Sequence, residues 1–257
     1  MGGISAVASR LRELARDIVT ANRRVVALTG AGISVPSGVP AFRGRDGLWS
    51  RHDPAEVAHI DAFRRNPERV WEMLSELYRV IWAARPNAAH RALARLEELG
   101  YLRLVITQNV DGLHQEAGSR EVVELHGNCR QVVCLDCGAR YGVEIIERVA
   151  SLPGRGAVRC WCGGVLKPGI VFFGEPLPEY AFLRAWADVQ SADVLLVVGT
   201  SAEVEPAASL PDTARRSGTM IVEVNPDPVL EADVTIAAPA EEALPRLVAA
   251  VEEERDR

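Results

Sequence analysis

No run of apolar residues in this chain of 257 reaches the roughly 18 that a membrane-spanning helix requires. The N-terminal stretch MGGISAVASRLRELARDIVTAN lacks the apolar centre of a secretory leader, because Arg10, Arg12, Glu13, Arg16 and Asp17 interrupt it. Positive charge is scarce too. The 29 Lys and Arg stand against 35 Asp and Glu, a net charge of -6, which argues against nonspecific binding to nucleic acid or to an anionic membrane surface. Long internal repeats and low-complexity segments are missing. A cytoplasmic protein with no nucleic-acid or membrane partner is the expectation. Cysteine is sparse and confined: all five lie between positions 129 and 162, a distribution that in an intracellular chain points to metal binding before disulfides.

What remains is an ordinary globular composition, 48% hydrophobic and 25% charged, with length enough for one large domain or one domain carrying a small insertion. Ile4, Val7, Leu11, Leu14 and Ile18 recur every three or four residues, so the first segment reads as an amphipathic helix. Short β-branched runs follow at 25–29, 102–108, 193–200 and 220–225, each closed by a polar or glycine-bearing turn, as in buried parallel strands. Helical patterns lie between and after them. PNAAHRALARLEELG has Asn87 as N-cap and Gly100 as its stop, and PEYAFLRAWADVQ and EEALPRLVAAVEEE also fit helices. This alternation predicts an α/β fold with a doubly wound parallel sheet, whose ligands sit beyond the carboxyl ends of the strands.

Two stretches depart from the alternation. Residues 45–86 carry the helical stripe Val70, Leu74, Leu77 and Ile81 with no convincing strand, and residues 127–169 hold the cysteines. Both read as insertions forming a smaller second domain, leaving 1–44, 87–126 and 170–257 to the Rossmann-like part.

The first strand runs into VVALTGAGISVPSGVPAFRG, residues 25–44. Gly30, Ala31 and Gly32 let the backbone approach a nucleotide phosphate without Cβ obstruction. The hydride-transfer fingerprint wants a further glycine at 35, which is Val35 here, and no acidic residue closes a second strand about 20 residues on. Redox use of the nucleotide loses support. Phe42 and Arg43 set an aromatic face beside a permanent cation, a pair suited to a nicotinamide ring and a diphosphate. Beyond the second strand, Gln108, Asn109 and Asp111 offer amides and a carboxylate to a ligand rich in hydroxyls. His126 ends another apolar run, where a general base acting near neutral pH would stand; His52, His59, His90 and His114 are weaker candidates.

Cys134 and Cys137 have CxxC spacing, and Cys160 and Cys162 form a tighter CxC pair. Four thiolates from two turns suit one tetrahedral Zn2+ with no open position, hence a structural ion. Cys129 reads as a small buried hydrophobe.

With GAGISVPSGVPAFRG, TQNVDGLHQEAG, ELHG, the cysteine pairs, KPGIVFFGE, VVGTSAEVEPAA and VEVNPD in order along nearly the whole chain, the sequence closely resembles the sirtuins, the Sir2 family of NAD-dependent protein-lysine deacylases. The resemblance implies a Rossmann-type large domain and a small domain made of a zinc module and a helical insertion, with NAD and an acyl-lysine peptide meeting between them. It places Ala31, Gly32 and Arg43 around the diphosphate. It places Ile33, Phe42, Asn109 and Asp111 in the nicotinamide pocket, and the FRGRDGLW segment adds Trp49 to the NAD-contacting set. Gly199, Thr200, Ser201 and Asn225 go to the adenosine half, and Gln108 and Asn109 to the nicotinamide ribose. His126 becomes the catalytic base of a reaction that consumes NAD: the acyl oxygen attacks C1′ of the nicotinamide ribose, nicotinamide leaves, and free lysine and O-acyl-ADP-ribose result.

The same resemblance implies an extended peptide pairing by strand addition between GIVFFGE and AEVEP, which hold Gly174, Glu203 and Val204, with Val171 and Phe172 lining the acyl-lysine tunnel. FRGRDGLW is similar to the branch that includes desuccinylases, in which a Tyr and, three residues later, an Arg bind an acidic acyl group. Here those positions are read as Tyr78 and Ile81, and a hydrophobic Ile81 in place of the cation predicts a preference for acetyl or longer apolar acyl groups. ADP-ribosyl transfer to protein, simple NAD hydrolysis, and noncatalytic NAD or ADP-ribose binding are the alternative readings.

Overall fold

The computed structural model describes residues 2–41, 53, 58–142, 144–145 and 158–257, the side chains of 2–6 and 76 excepted. Helix α1 (Gly2–Thr20) buries Leu11, Leu14 and Ile18 of the stripe read at the N-terminus and leads into strand β1 (Val25–Thr29). A 3-10 turn, Ala31–Ser37, follows in place of the long helix of a dehydrogenase. Helices α2 (Ile60–Arg65) and α3 (Pro67–Ala83) come next, then α4 (Ala88–Glu98). Asn87 caps α4 by accepting from the amide of Ala89 at 2.8 Å. The imidazole of His90 returns the favour by accepting from the amide of Asn87 at 3.3 Å. Gly100, at φ +86°, ends the helix as its sequence position requires.

Strand β2 (Leu102–Thr107), the short helix α5 (Leu113–Glu116) and strand β3 (Val122–Glu124) complete one half of a sheet. After the cysteine segment, α6 (Glu179–Ser191), β7 (Val194–Val198), α7 (Leu210–Arg216), β8 (Met220–Val224), β9 (Val234–Ile236) and α8 (Ala240–Arg255) build the other half. The six strands pair in parallel in the order β3-β2-β1-β7-β8-β9. Strand β9, only three residues between acidic and alanine-rich flanks, has no periodic signature and was not legible in the sequence. β1 lies between β2 and β7, so the direction of winding reverses there and opens a crevice beyond its carboxyl end.

Alternation along each strand divides the core. Val25 and Ala27 of β1 pack with α1, α4 and α8, while Val26 and Leu28 pack with α6 and α7. Each of the valines and the leucine, fully buried, contributes roughly 1.5–3 kcal/mol of transfer free energy. Both faces of β1 are therefore apolar, which is why it reads as an uninterrupted hydrophobic run.

The cysteine segment builds strands of its own. β4 (Gly127–Cys134), β5 (Arg140–Gly142) and β6 (Leu166–Ile170) form an antiparallel sheet in the order β5-β4-β6. A separate core joins this sheet to the helical insertion, with Phe63, Val70 and Tyr78 packed against Val132 and Leu166. The stripe Val70, Leu74, Leu77 and Ile81 is thus a real helix face. Among the described residues, no helix is long and apolar enough to cross a membrane.

Candidate active site

At the crevice the loops after β1 and β7 touch. The amide of Gly30 donates to the carbonyl of Val198 at 3.0 Å and that of Gly32 to the carbonyl of Gly199 at 2.8 Å. A Cβ on Gly32 would lie 2.8 Å from the Cα of Gly199, so the glycine spacing serves loop-to-loop packing as well as ligand approach. A cavity of about 750 Å³ opens over this contact. Gly30, Ala31, Gly32, Gly199, Thr200, Ser201 and Asn225 line one part of it, and Gln108, Asn109 and His126 line another. Among the described residues its wall has no lysine or arginine, but it includes Glu175, Glu205, Asp227 and Glu241.

Hydrogen bonds fix most of these groups before any ligand arrives. The amide nitrogen of Gln108 donates to the Thr200 hydroxyl at 3.0 Å, and that of Asn225 to the Thr200 carbonyl at 3.2 Å. Asn109 Nδ2 donates to the carbonyl of Gly30 at 3.0 Å and to Ser34 Oγ at 3.1 Å, which leaves Oδ1 as its uncommitted polar atom. Ser34 in turn donates to Asp111 Oδ2 at 2.7 Å, and Asp111 Oδ1 accepts from the amide of Leu113 at 2.9 Å. Burial raises the Asp111 carboxyl above its usual value, and these two hydrogen bonds oppose the rise. Asp111, Ser34, Asn109 and Ile81 border a small side pocket that shares Ala31, Leu77, Asn109 and Val110 with the main cavity.

His126 is tied through Nδ1 to the carbonyl oxygen of Gln108 at 2.9 Å. A carbonyl only accepts, so Nδ1 carries the proton and Nε2 keeps its lone pair. Burial lowers the His126 pKa below the ordinary histidine value, with the Gln108 hydrogen bond pulling the other way. The ring is therefore neutral and basic at Nε2 near pH 7.

The sequence-derived acyl side is redistributed. Val171, Phe172, Gly174 and Val204 line the main cavity. Tyr78 does not: it is 2% exposed, packed between a tilted Trp71 ring and an edge-on Trp82 ring in the second core. Ile81 borders only the side pocket, and Glu203 is exposed off the cavity wall. Among the described residues of α3, Leu74 and Leu77 reach the cavity, one turn before the expected pair. The 3.6-residue stripe announced the face but not the rotation that selects its inner members. Ile33 is fully buried beneath the loop, its carbonyl accepting from Asn87 Nδ2 at 2.7 Å. Phe42, Arg43, Trp49 and His52 lie outside the described residues. Ser34, which joins Asn109 to Asp111, escaped the sequence reading because a hydroxyl in a glycine loop has no signature.

Cys134, Cys137, Cys160 and Cys162 bring their sulfurs within 4.8 Å of one another. Cys134 and Cys162 are 3.5 Å apart and Cys137 and Cys160 3.6 Å, close to the spacing that Zn–S bonds of about 2.3 Å impose on a tetrahedron. The four fit one structural Zn2+, and the CxC spacing does not exclude Cys160. Cys129 stays apart, fully buried beside Tyr78, with burial pushing its thiol up to about 12.

A model described as the Sir2 family matches residues 30–206. The chain is 45% identical to NAD-dependent protein deacylase 1 of Archaeoglobus fulgidus over 236 residues, 90% of this chain and 94% of the relative. It is 50% identical to an NAD-dependent protein deacylase of Aeropyrum pernix over 212 residues, 82% of this chain and 84% of the relative. Among solved structures, it is similar to a Sir2 homologue in complex with NAD, at 43% identity and TM-score 0.84, covering 94% of this chain and 93% of the other. It is also similar to a Sir2 protein with a deacetylated p53 peptide and 3′-O-acetyl-ADP-ribose, at 38% identity and TM-score 0.85, covering 92% and 97%.

Proposed function

The chain belongs to the Sir2 family and is an NAD-dependent protein deacylase, and from this premise we propose how its own residues divide the work. The observation that carries the reading is the His126–Gln108 hydrogen bond, because it leaves an unprotonated Nε2 on the same cavity as the glycine loop. His126 acts as the general base, taking a proton from a ribose hydroxyl after nicotinamide has left. Gln108, held by Thr200, and Asn109, held by Gly30 and Ser34, orient the nicotinamide ribose, and Asp111 with Ser34 bounds the pocket for the nicotinamide amide. Gly199, Thr200, Ser201 and Asn225 hold the adenosine half.

An extended acyl-lysine peptide adds as a strand between the 170–175 segment and the loop around Val204, where main-chain pairing gives affinity with little demand on sequence. Its acyl chain meets Leu74, Leu77, Val171 and Phe172, a wall that favours acetyl and longer apolar groups. The four cysteines hold one structural Zn2+ away from the reacting atoms.

The test is a panel of acyl-lysine peptides with NAD, read by mass spectrometry. Free lysine and O-acyl-ADP-ribose should appear in equal amounts, and His126→Ala should cut the rate by roughly 100-fold or more. ADP-ribose without deacylated peptide, or undiminished activity in His126→Ala, would overturn the assignment.

A further inference from the structure

Lys167 is a buried cation outside the reacting centre, only 6% exposed, on the last strand of the cysteine-bearing sheet. Its ammonium has three N–H donors and meets three acceptors: the carbonyls of Pro168 at 3.0 Å and Ile170 at 2.5 Å, and Glu175 Oε2 at 2.9 Å. Nζ also lies 4.6 Å from the centre of the Phe172 ring. Glu175 Oε2 accepts a second hydrogen bond, from the amide of Phe172 at 2.8 Å. The pair thus closes a ring around the turn 170–175, gripping it at Ile170, Phe172 and Glu175.

That turn is the wall assigned above to the acyl-peptide. Val171 hangs from the catalytic side, its amide donating to the carbonyl of His126 at 2.8 Å. Phe173 hangs from the helical insertion, donating to the carbonyl of Ala58 at 2.7 Å and accepting from the amide of Ile60 at 3.0 Å. Phe172 packs on Phe63 of α2 at 5.6 Å between ring centres. The segment therefore bridges the His126 backbone and the helical insertion, and the Lys167–Glu175 pair sets its shape. A buried ion pair is a weak source of net stability, since well-packed apolar residues of similar size commonly do as well or better. One that grips a cavity wall at two backbone groups, the Ile170 carbonyl and the Phe172 amide, is better explained by the geometry it imposes.

We infer that Lys167 and Glu175 are positioning residues for the acyl-peptide half of the reaction: they hold the 170–175 turn at the distance that lets the acyl-lysine chain reach His126. The inference rests on the deacylase reading. It predicts a divided effect, because the adenosine half is assigned to the loops after β1, β7 and β8, whereas the hydrogen bonds and ion pair of Lys167 and Glu175 go to Pro168, Ile170, Phe172 and each other.

Two variants test it. Lys167→Met keeps the aliphatic stem over Phe172 and removes all three hydrogen bonds. Glu175→Gln keeps an oxygen for the Phe172 amide and removes the charge. Acyl-peptide KM is measured at saturating NAD, and ADP-ribose binding is measured by calorimetry without peptide. Lys167→Met should raise peptide KM about tenfold or more and Glu175→Gln about threefold, with ADP-ribose Kd changed less than twofold in both. The double variant should be no worse than Lys167→Met, because the two side chains act as one unit. Equal shifts in peptide KM and ADP-ribose Kd would reduce the pair to general stability and overturn the inference, as would unchanged peptide KM. Should Lys167→Met fail to fold, Glu175→Gln decides alone by the same two numbers. Failure of the wild-type protein to deacylate any peptide would instead sink the deacylase reading itself.

Discussion

Gly32 and Gly199 meet across the crevice between β1 and β7, the amide of one donating to the carbonyl of the other at 2.8 Å. A Cβ on Gly32 would come within 2.8 Å of Gly199 backbone atoms, which cannot swing aside as a flexible side chain would. Gly32→Ala must therefore push the loops after β1 and β7 apart. Overpacking of this kind costs about 1–3 kcal/mol. ADP-ribose affinity should fall tenfold or more while the protein remains folded, as calorimetry and a melting curve on one sample would report. Unaltered affinity would mean that the loops have slack that the contact distances deny.

Leu74 and Leu77 give the acyl preference a sharper form. They stand three residues apart on α3 and both line the cavity, whose described wall carries four carboxylates and no lysine or arginine. Among the described wall residues an acidic acyl group would find no cation, and left unpaired it would cost about 3 kcal/mol, or roughly 100-fold in kcat/KM. Succinyl-lysine peptide should be turned over about 100-fold less efficiently than acetyl-lysine peptide. Leu77→Arg should close that gap at least tenfold, whereas Ile81→Arg, bordering only the side pocket, should leave it unchanged. A larger gain from Ile81→Arg would return the specificity position to the residue first suggested by spacing.

Much of this site could be read from the chain because its parts are local. The glycine loop, Gln108, Asn109 and His126 each follow a strand directly, so strand direction alone delivers them to the crevice. The four cysteines sit in two tight turns whose spacing carries their chemistry. What could not be read depends on packing between distant segments. Tyr78 and Leu77 are neighbours in sequence, and only the seat of α3 against the second core sends one to the cavity and the other between Trp71 and Trp82. Ser34 and Lys167 act through partners 77 and 8 positions away, Asp111 and Glu175, and nothing in their own surroundings names those partners.

The zinc assignment makes a prediction that separates the five cysteines. Cys160→Ser should lose zinc as fully as Cys134→Ser, because all four sulfurs fall within 4.8 Å, while Cys129→Ala should retain about one zinc per chain. Emission spectrometry of purified variants decides the matter. Chelation should lower Tm by about 5–10 °C, on the scale of roughly 2–4 °C per kcal/mol for a chain of this size. It should abolish peptide turnover only as the fold is lost, since the cluster leaves no position open to substrate. Full zinc content in Cys160→Ser would remove that residue from the ligand set.

The buried histidines behind Thr29 and Ser34 set how the fold responds to acid. His90 and His114 pack edge to face at 4.9 Å, with His114 Nε2 2.9 Å from the Thr29 hydroxyl and its Nδ1 buried without a partner. Burial, first, and then the positive charge of Arg91 lower the pKa of His90 to about 4, and burial followed by the charge of His90 lowers that of His114 to about 3. Unfolding releases both to the ordinary value near 6.5, so below that pH the unfolded chain binds protons that the native state refuses. Stability is therefore flat above pH 6.5, falls as pH drops through 6.5, and goes on falling until the native pKa values are reached. By pH 5.5 each histidine should cost about 1 kcal/mol, at roughly 1.4 kcal/mol per pH unit once the unfolded form is protonated. Urea midpoints at pH 7.5 and 5.5 measure the difference. His114→Gln, whose amide can still donate to Thr29, should show a smaller difference than the wild type. Equal differences in the two proteins would mean that His114 already takes up its proton in the folded state.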